Sequence, residues 1–365
     1  MPPDKLTQPS HPVPAKMTAP HALRWRSRLW AMGGLILLLA VVMAFATSVG
    51  SADISFFTVW QILLSRLPFF NFSETWAGNT ETIILTIRLP RIVLAGLVGA
   101  SLAVAGATYQ GLFRNPLADP YLIGVSQGAL LGAVIGFSLG GGGIAEFGIV
   151  PILAFAGAII AVAIVYSIAR TGKSLPVTTL ILAGVALGSF LSAITHYLML
   201  NSGNEKLHAI VFWMFGHIED EWSQVLTVLP FMLIGTSIIW LYARPLNVMQ
   251  LDEEQAQQLG INVERVKMIL LICSTLITAA AVAFCGTIGF VGIIIPHTVR
   301  LIWGPDHRFL LPLSTLVGAI FLIMADTVVR TITEPEEIPI GVITASVGAP
   351  FFLYLLRKKR RGTFF

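Results

Sequence analysis

Charged residues are scarce in this chain. Asp, Glu, Lys and Arg together make up 12% of its 365 residues, whereas 55% of the residues are hydrophobic. Soluble domains carry roughly 25% charged residues. This low share excludes an ordinary soluble domain and indicates a protein that crosses a membrane several times. No nucleic-acid partner is expected.

Cysteine is almost absent as well. The two cysteines, Cys273 and Cys285, fall on one predicted helix. Twelve residues at 1.5 Å each place them about 18 Å apart, too far for a disulfide bond. The seven histidines are scattered, without the HExxH spacing of a zinc site. The sequence therefore predicts no redox pair, no bound metal and no cofactor held by this chain.

Catalytic motifs are also missing. No Ser-His-Asp arrangement and no pair of catalytic carboxylates stands out. The string Thr171-Gly172-Lys173-Ser174 resembles the end of a phosphate-binding loop, but Ser167 stands where such a loop needs its first glycine. We therefore expect no catalytic residues, no nucleotide site and no enzymatic activity in the chain itself.

Long apolar runs dominate what is present. A membrane helix needs about 20 mainly apolar residues. About ten runs are of this kind: 30–49, 92–111, 121–139, 147–169, 179–200, 223–243, 267–285, 287–303, 309–329 and 338–356. They are continuous rather than alternating, which favours helices over β-barrel strands. The sequence predicts an all-α polytopic membrane protein with one transmembrane domain over 30–356.

Basic residues predict the orientation of this domain. Residues 1–29 are rich in proline, polar and basic residues and are expected to form a disordered cytoplasmic tail. Residues 357–365 form a second, basic tail. With both termini in the cytoplasm and ten helices between them, 18 of the 23 Lys and Arg residues fall on the inner side. This agrees with the accumulation of basic residues on the cytoplasmic face of membranes.

Three arginines are predicted on the outer side of the membrane, against this bias. Arg88 and Arg91 flank Pro90 at the outer mouth of the second predicted helix, and Arg330 lies at the outer end of the ninth. A guanidinium group stays charged and can hold a carboxylate through two parallel hydrogen bonds. These arginines are candidates for docking an acidic partner. Local pairing is the alternative, because Asp326 precedes Arg330 by one helical turn.

A polar island interrupts the apolar runs at 251–267, with the sequence LDEEQAQQLGINVERVK. An ionised carboxylate in the bilayer core costs several kcal/mol, so this segment must lie outside the membrane. Its acidic and amide residues favour a short helix, which Gly260 ends before a second short run leads into the next apolar segment. We interpret the island as a cytoplasmic surface that a separate motor can push.

Small residues recur every fourth position in two predicted helices. The stripes consist of Gly124, Gly128, Gly132, Gly136 and Gly140 in one helix, and of Ala95, Gly99 and Ala103 in another. In lipid, such stripes allow two backbones to approach closely, so they predict tight helix packing.

A weak internal repeat appears at an offset of 180 residues. Gly106 matches Gly286 and Pro116 matches Pro296. Because the two matching helices would run in opposite directions, the repeat would be inverted, as in many transporters.

The chain resembles the membrane permeases of ATP-driven importers for iron chelates, haem and vitamin B12, the FecCD type. The resemblance covers roughly 85–365 and rests on several strings in the family's order. These are RLPRIVLAGLVGASLAVAGATYQGLFRNPLADPYLIGVSQGA at 88–129, LILAGVALGS at 180–189, VFWMFG at 211–216, the island, GTIGFVGIIIPHTVRLIWGPDHRFLLP at 286–312, ADTVVR at 325–330 and EIPIGVITASVGAPFFLYLLRK at 337–358.

The resemblance implies an assembly and a role for particular residues. It implies two permease copies around one path, two ATP-hydrolysing subunits that use ATP and Mg²⁺, and a periplasmic binding protein, in a bacterial inner membrane. It places Arg88, Arg91 and Arg330 at the binding-protein dock and Val177 and Thr178 at the cytoplasmic gate. The ATPase-coupling residues that it implies are Asp252, Glu253, Glu254, Gln258, Leu259 and Gly260.

The sequence leaves alternatives open for the cargo and for the energy source. Within the family, a ferric siderophore is expected first and haem second, with cobalamin as the alternative. In a different class, a secondary transporter driven by an ion gradient would need acids inside the membrane. Asp326 is the one acid within the ten predicted segments, and it lies near an outer end.

Overall fold

The computed structural model describes residues 21–50, 54–66, 76–139, 144–172, 174–332 and 338–359. The α-helices in these ranges are α1 His21–Ser48, α2 Phe56–Ser65, α3 Gly78–Thr82, α4 Leu89–Leu112, α5 Val125–Leu139, α6 Ile144–Ala169, α7 Val177–Leu200, α8 Asn204–Met214, α9 Trp222–Leu241, α10 Ala243–Val248, α11 Glu253–Gln258, α12 Val263–Cys285, α13 Val291–Trp303, α14 His307–Ile332 and α15 Ile340–Lys359. A π-helical segment, Ile83–Arg88, joins α3 to α4, and a 3-10 helix, Pro120–Ile123, precedes α5. In the described ranges, β structure is limited to one isolated bridge between Thr171 and Ser174.

Seven helical stretches are long and apolar enough to cross a membrane. They are Trp25–Ser48, Gly78–Leu112, Gly148–Ala169, Val177–Leu200, Trp222–Leu241, Val263–Cys285 and His307–Ile332. Seven of the ten predicted segments fall on them. The other three, 121–139, 287–303 and 338–356, fall on the shorter apolar helices α5, α13 and α15. A polytopic helical membrane protein is therefore confirmed, while ten crossings, the inverted repeat and the orientation of the termini stay predictions.

The first helix begins at His21, nine residues before the predicted segment. The boundary of the disordered tail at residue 29 is therefore wrong, and residues 1–20 lie outside the described part of the chain. A tertiary contact explains the longer helix. Trp25 packs edge-on against Phe309 at 4.9 Å between ring centroids, and the Arg28 guanidinium lies 4.8 Å from the same ring.

Arg28 also approaches a carboxylate at the start of α14. Its Nη1 lies 3.8 Å from Oδ2 of Asp306. Burial raises the pKa of Asp306, but hydrogen bonds from Arg308 and Asn247 outweigh burial and lower it to about 2. The carboxylate is therefore ionised at neutral pH and holds the basic end of α1 against α14.

The second predicted helix is also longer than expected. Pro90 lacks a backbone N–H and so cannot bond the carbonyl four residues earlier. The chain accommodates this with the π-helical segment Ile83–Arg88, and the helical stretch continues over 35 residues, Gly78–Leu112. Arg88 and Arg91 therefore lie inside a continuous helix rather than at its mouth.

Three helices form the interior of the protein. The apolar stretches of α4, α12 and α14 are mostly buried, whereas less than a third of each stretch of α1, α7 and α9 is buried. α4 lies at the centre, since it packs against α14, α12, α13 and α9. α5 and α6 form a second closely packed pair beside this centre.

The glycine stripes lie at these helix crossings, which confirms their prediction as packing surfaces. A Cβ atom built on Gly132 would lie 2.0 Å from the Leu153 carbonyl oxygen of α6. A Cβ atom on Gly99 would lie 2.3 Å from the Gly318 carbonyl oxygen of α14. Gly140 lies outside the described residues. Only glycine fits such close approaches between backbones, so the crossings depend on it.

Replacing Gly132 by alanine should separate α5 from α6. We expect Gly132→Ala to lower the free energy of unfolding by about 1–3 kcal/mol, because the added methyl group overfills a packed contact with backbone. Gly148→Ala on α6 is the matched control. A Cβ there meets nothing within 4 Å, so only the helix propensity changes, by about 1 kcal/mol in favour of folding. Thermal unfolding in detergent measures both, and equal effects would contradict the assignment.

Candidate functional site

The polar island forms a short exposed helix. Asp252 precedes α11, and Glu253 and Glu254 occupy its first turn, where carboxylates interact favourably with the helix dipole. Gly260 ends the helix with φ +84°. The amides of Gly260 and Ile261 donate to the carbonyls of Gln257 and Ala256, which is a Schellman turn.

The surface of the island faces outward. Asp252 is 77% exposed and Leu259 is 64% exposed. Glu254, Gln258 and Gly260 are exposed as well. Five of the six predicted coupling residues therefore present polar and apolar groups together, as an interaction surface requires. Glu253 is the exception, because it is half-buried and its carboxylate turns toward the protein.

Several contacts fix the island to the transmembrane helices. Arg114, just after α4, donates to the Leu251 carbonyl at 3.1 Å and to Asp252 Oδ1 at 3.2 Å. Gln250 donates to the Gly111 carbonyl of α4 at 2.9 Å. Glu253 Oε2 accepts from Lys267 of α12 at 2.9 Å. A force on the island would therefore act on α4 and α12 directly.

The predicted gate residues begin α7. Val177 is the first residue of this helix and is half-buried, and Thr178 is exposed. Pro176 precedes them with φ −66°, an angle that its ring fixes. The direction of α7 therefore depends on the segment before it. Their function as a gate stays a prediction, but the structure links this end of α7 to α12 through Leu175.

The three arginines lie together at one end of the bundle. Arg91 Nε donates to Asp326 Oδ1 at 3.0 Å, and Arg330 Nε donates to Oδ2 of the same carboxylate at 3.1 Å. Arg330 and Arg88 also donate to carbonyls at the end of α1, those of Ala46, Thr47, Ser48 and Val49. We call Arg88, Arg91, Arg330 and Asp326 the arginine cluster.

Local pairing is confirmed within this cluster. The Asp326 side chain is 1% exposed, and Arg91 and Arg330 are 12% and 11% exposed. Cationic side chains at the carboxyl end of a helix also stabilise its dipole and its unpaired carbonyls. The arginines therefore hold α1, α4 and α14 together. Docking of a partner is a separate function that these contacts do not test, and it stays a prediction.

Sequence reasoning missed the contacts that tie the island to the bundle. Lys267 and Glu264 were visible as residues three apart at the start of α12, a spacing at which opposite charges pair. Their contacts with Glu253 and Leu175 depend on tertiary structure. In the described part of the chain, no group of three or more His, Cys, Asp and Glu side chains is arranged to hold a metal.

The described residues therefore form a polytopic helical membrane protein with an exposed polar island and a buried arginine cluster. The model of the FecCD transport family matches residues 37–358. The chain therefore belongs to the FecCD transport family. This family consists of permeases rather than ATPases, in agreement with the expectation from the sequence.

Curated relatives match along nearly the whole chain. The cobalamin import system permease protein BtuC of Halobacterium salinarum is 43% identical, over 92% of this chain and 97% of that protein. The Fe(3+)-citrate import system permease protein YfmD of Bacillus subtilis is 38% identical, over 93% and 98%. The hemin transport system permease protein HmuU of Yersinia pestis is 36% identical, over 90% and 96%.

A solved structure matches the fold. It is described as a metal-chelate type ABC transporter in an inward-facing conformation. The TM-score is 0.77 at 33% identity, and the match covers 90% of this chain and 99% of that one.

Asp326→Asn should destabilise the arginine cluster. An amide is neutral and accepts through one oxygen only, so both guanidinium groups would lose their counter-charge and one of them would also face an NH₂ group. Removing one partner of a buried ion pair costs about 3–5 kcal/mol. We expect a loss near 3 kcal/mol in the free energy of unfolding, since asparagine keeps one acceptor. Thermal unfolding in detergent measures it. Asp220→Asn, in an exposed loop, is the control and should leave stability unchanged; equal stability of both variants would contradict the role of Asp326.

Proposed function

We propose that this chain is the transmembrane permease subunit of an ATP-binding-cassette importer that takes up an iron complex. The observation that carries the proposal is the island. A charged helix lies outside the bilayer, exposes Glu254, Gln258 and Leu259, and is fixed to the central helices through Arg114 and Glu253. Membership of the FecCD transport family supports the same function.

The proposed assembly contains two copies of this chain, two ATPase subunits on the inner side and a periplasmic binding protein on the outer side. ATP and Mg²⁺ are used by the ATPase subunits. The membrane is the inner membrane of a bacterium, with both termini of the chain in the cytoplasm. Closure of the ATPases moves α11 as a rigid lever, and the helices around the path rock between outward and inward access.

The proposed cargo is a ferric siderophore first and haem second, with cobalamin as the alternative. Relatives of similar identity carry the names of a cobalamin, an Fe(3+)-citrate and a hemin permease, so identity does not favour one of them. All three cargoes are large chelates, which suits a path lined by apolar helices. Competition among labelled cargoes for uptake by the reconstituted importer would identify the one transported.

A secondary transporter is the second candidate, and one contact counts against it. Ion coupling needs an acid in the membrane that can bind and release an ion. The Asp326 carboxylate is the candidate from the sequence, and both of its oxygens accept hydrogen bonds from arginines. Uptake of cargo by the purified chain alone in liposomes would favour this candidate over the importer.

Reversing the charge and the polarity of two exposed side chains at α11 should uncouple the importer. We expect Glu254→Lys combined with Leu259→Asp to reduce ATP-dependent uptake about tenfold or more, because truncating interface anchors costs 2 kcal/mol or more. Both side chains point away from the bundle, so folding should be unaffected. Uptake by proteoliposomes containing the ATPase and the binding protein measures the effect. Glu205→Lys, exposed on α8, is the control, and wild-type uptake in the double variant would refute the coupling surface.

The docking function of the arginines has its own test. We expect Arg88→Gln combined with Arg330→Gln to weaken binding of the cargo-loaded binding protein about tenfold, with less dependence on salt, because charge pairs across an interface are lost. Arg66→Gln is the control: this arginine is 62% exposed and pairs with Glu81. Binding is measured on immobilised permease, and thermal unfolding is recorded in parallel. Lower stability with unchanged affinity would mean that the arginines serve only the packing of α1, α4 and α14.

A further inference from the structure

A buried ammonium group lies at the base of α12. Lys267 is 3% exposed, and a buried charge of this kind is tolerated only when it is paired. Its Nζ lies 2.9 Å from Glu253 Oε2 and 3.1 Å from Glu264 Oε1. One carboxylate belongs to the island helix α11 and the other to α12 itself. Lys267 is therefore shared between two segments of the chain.

The same pair of side chains on α12 holds the backbone of Leu175. Glu264 Oε2 accepts from the Leu175 amide at 2.9 Å, and Lys267 Nζ donates to the Leu175 carbonyl at 3.4 Å. The Leu175 side chain is buried at 5% exposure. Both backbone polar groups of this residue are thus bound to α12, two residues before α7 begins at Val177.

We propose that Lys267 and Glu264 are positioning residues that link the island helix α11 to the cytoplasmic end of α7. The proposal rests on the proposed function, because it supposes that a partner ATPase moves α11. When α11 moves with Glu253, Lys267 loses one of its two carboxylates and is held by Glu264 alone. Glu264 then turns toward the ammonium group and away from the Leu175 amide, and the start of α7 is released.

The space around this contact allows the movement. A cavity of about 340 Å³ opens beside it, between Arg170 and Ser174 on one side and Glu264 on the other. The segment before α7 is therefore packed against α12 but not enclosed by the rest of the chain. Lys267 and Glu264 bind the Leu175 backbone from α12, so a change in their pairing acts on the segment that leads into α7.

The test uses the complete importer, reconstituted with its ATPase and binding protein, in a Thr179→Cys background. Thr179 lies in the first turn of α7, is exposed and is not one of the predicted gate residues, and Cys273 and Cys285 are buried. Three quantities are measured: ATP hydrolysis, cargo uptake and the rate at which a maleimide labels position 179 with and without nucleotide. The background protein without further changes is the reference.

We expect Lys267→Met to keep ATP hydrolysis and to lose its link to α7. Uptake per ATP should fall about tenfold, within the 5- to 150-fold range of couplings between sites. Labelling at position 179 should no longer respond to nucleotide. Lys267→Arg should retain much of the coupling because it keeps the charge. Arg244→Met, an exposed cytoplasmic residue of α10 outside the island, is the control and should match the reference.

The outcomes separate the inference from the function on which it rests. Normal uptake per ATP and nucleotide-dependent labelling in Lys267→Met would overturn the inference and leave the importer intact. A reference protein without ATP-dependent uptake would refute the proposed function itself. If Lys267→Met fails to fold, Glu264→Gln replaces it, since Lys267 then keeps Glu253 as a partner. Loss of the labelling response in that variant supports the link, and an unchanged response overturns it.

Discussion

Lipid offers no hydrogen-bond partner and no counter-charge, so each polar group that this chain brings to the membrane must be satisfied by the chain itself. In the interior of the bundle the backbone forms helices, which approach each other closely at glycines such as Gly99 and Gly132. The ends of the helices meet this constraint with compensated charges. Asp326 is paired with two arginines in the arginine cluster, and Lys267 is paired with two carboxylates at the base of α12.

The two groups of charges have opposite signs, since one is an acid between two arginines and the other is a lysine between two carboxylates. Their effects on the fold are similar. In the arginine cluster one buried carboxylate joins α4 and α14, and the arginines reach the end of α1. At the base of α12, one buried ammonium group joins α11, α12 and the segment before α7. α4 and α14 are therefore tied to α1 at one end of the bundle, and α12 is tied to α11 and to the segment before α7 at its base. Helices tied in this way transmit a displacement as a rigid body, because packed interiors do not deform continuously.

The sequence predicts the parts of this architecture that depend on local patterns. Long apolar runs identified the seven spans, and the polarity of 251–267 with Gly260 identified the exposed helix and its turn. The pairing of Arg330 with Asp326 was also accessible, because four residues separate them on one helix. Arg91 reaches the same carboxylate from 235 residues away, and no local pattern contains that contact.

The errors have the same origin. Hydropathy alone placed the start of the first helix at residue 30. The residues that extend this helix back to His21 include basic and aromatic side chains, which are stabilised by Phe309 and Asp306, far along the chain. Likewise, the second apolar run was predicted from residue 92, but the helical stretch begins before Pro90, because π-helical backbone accommodates the missing hydrogen bond. In both cases a tertiary or backbone adjustment overrode a local signal.

The island shows how a small helix can serve as a lever. Six residues are too few for a helix that is stable alone in water. α11 therefore owes its direction to its ends, where Arg114 and Lys267 bind its first turn and the Schellman turn at Gly260 fixes its last. Its residues consequently divide into two sets. Glu254, Gln258 and Leu259 face outward and are available to a partner, whereas Glu253 faces inward and is bound to α12. A force on the outward set would reach α12 through Glu253 and α4 through Arg114, so these inward contacts determine which helices respond.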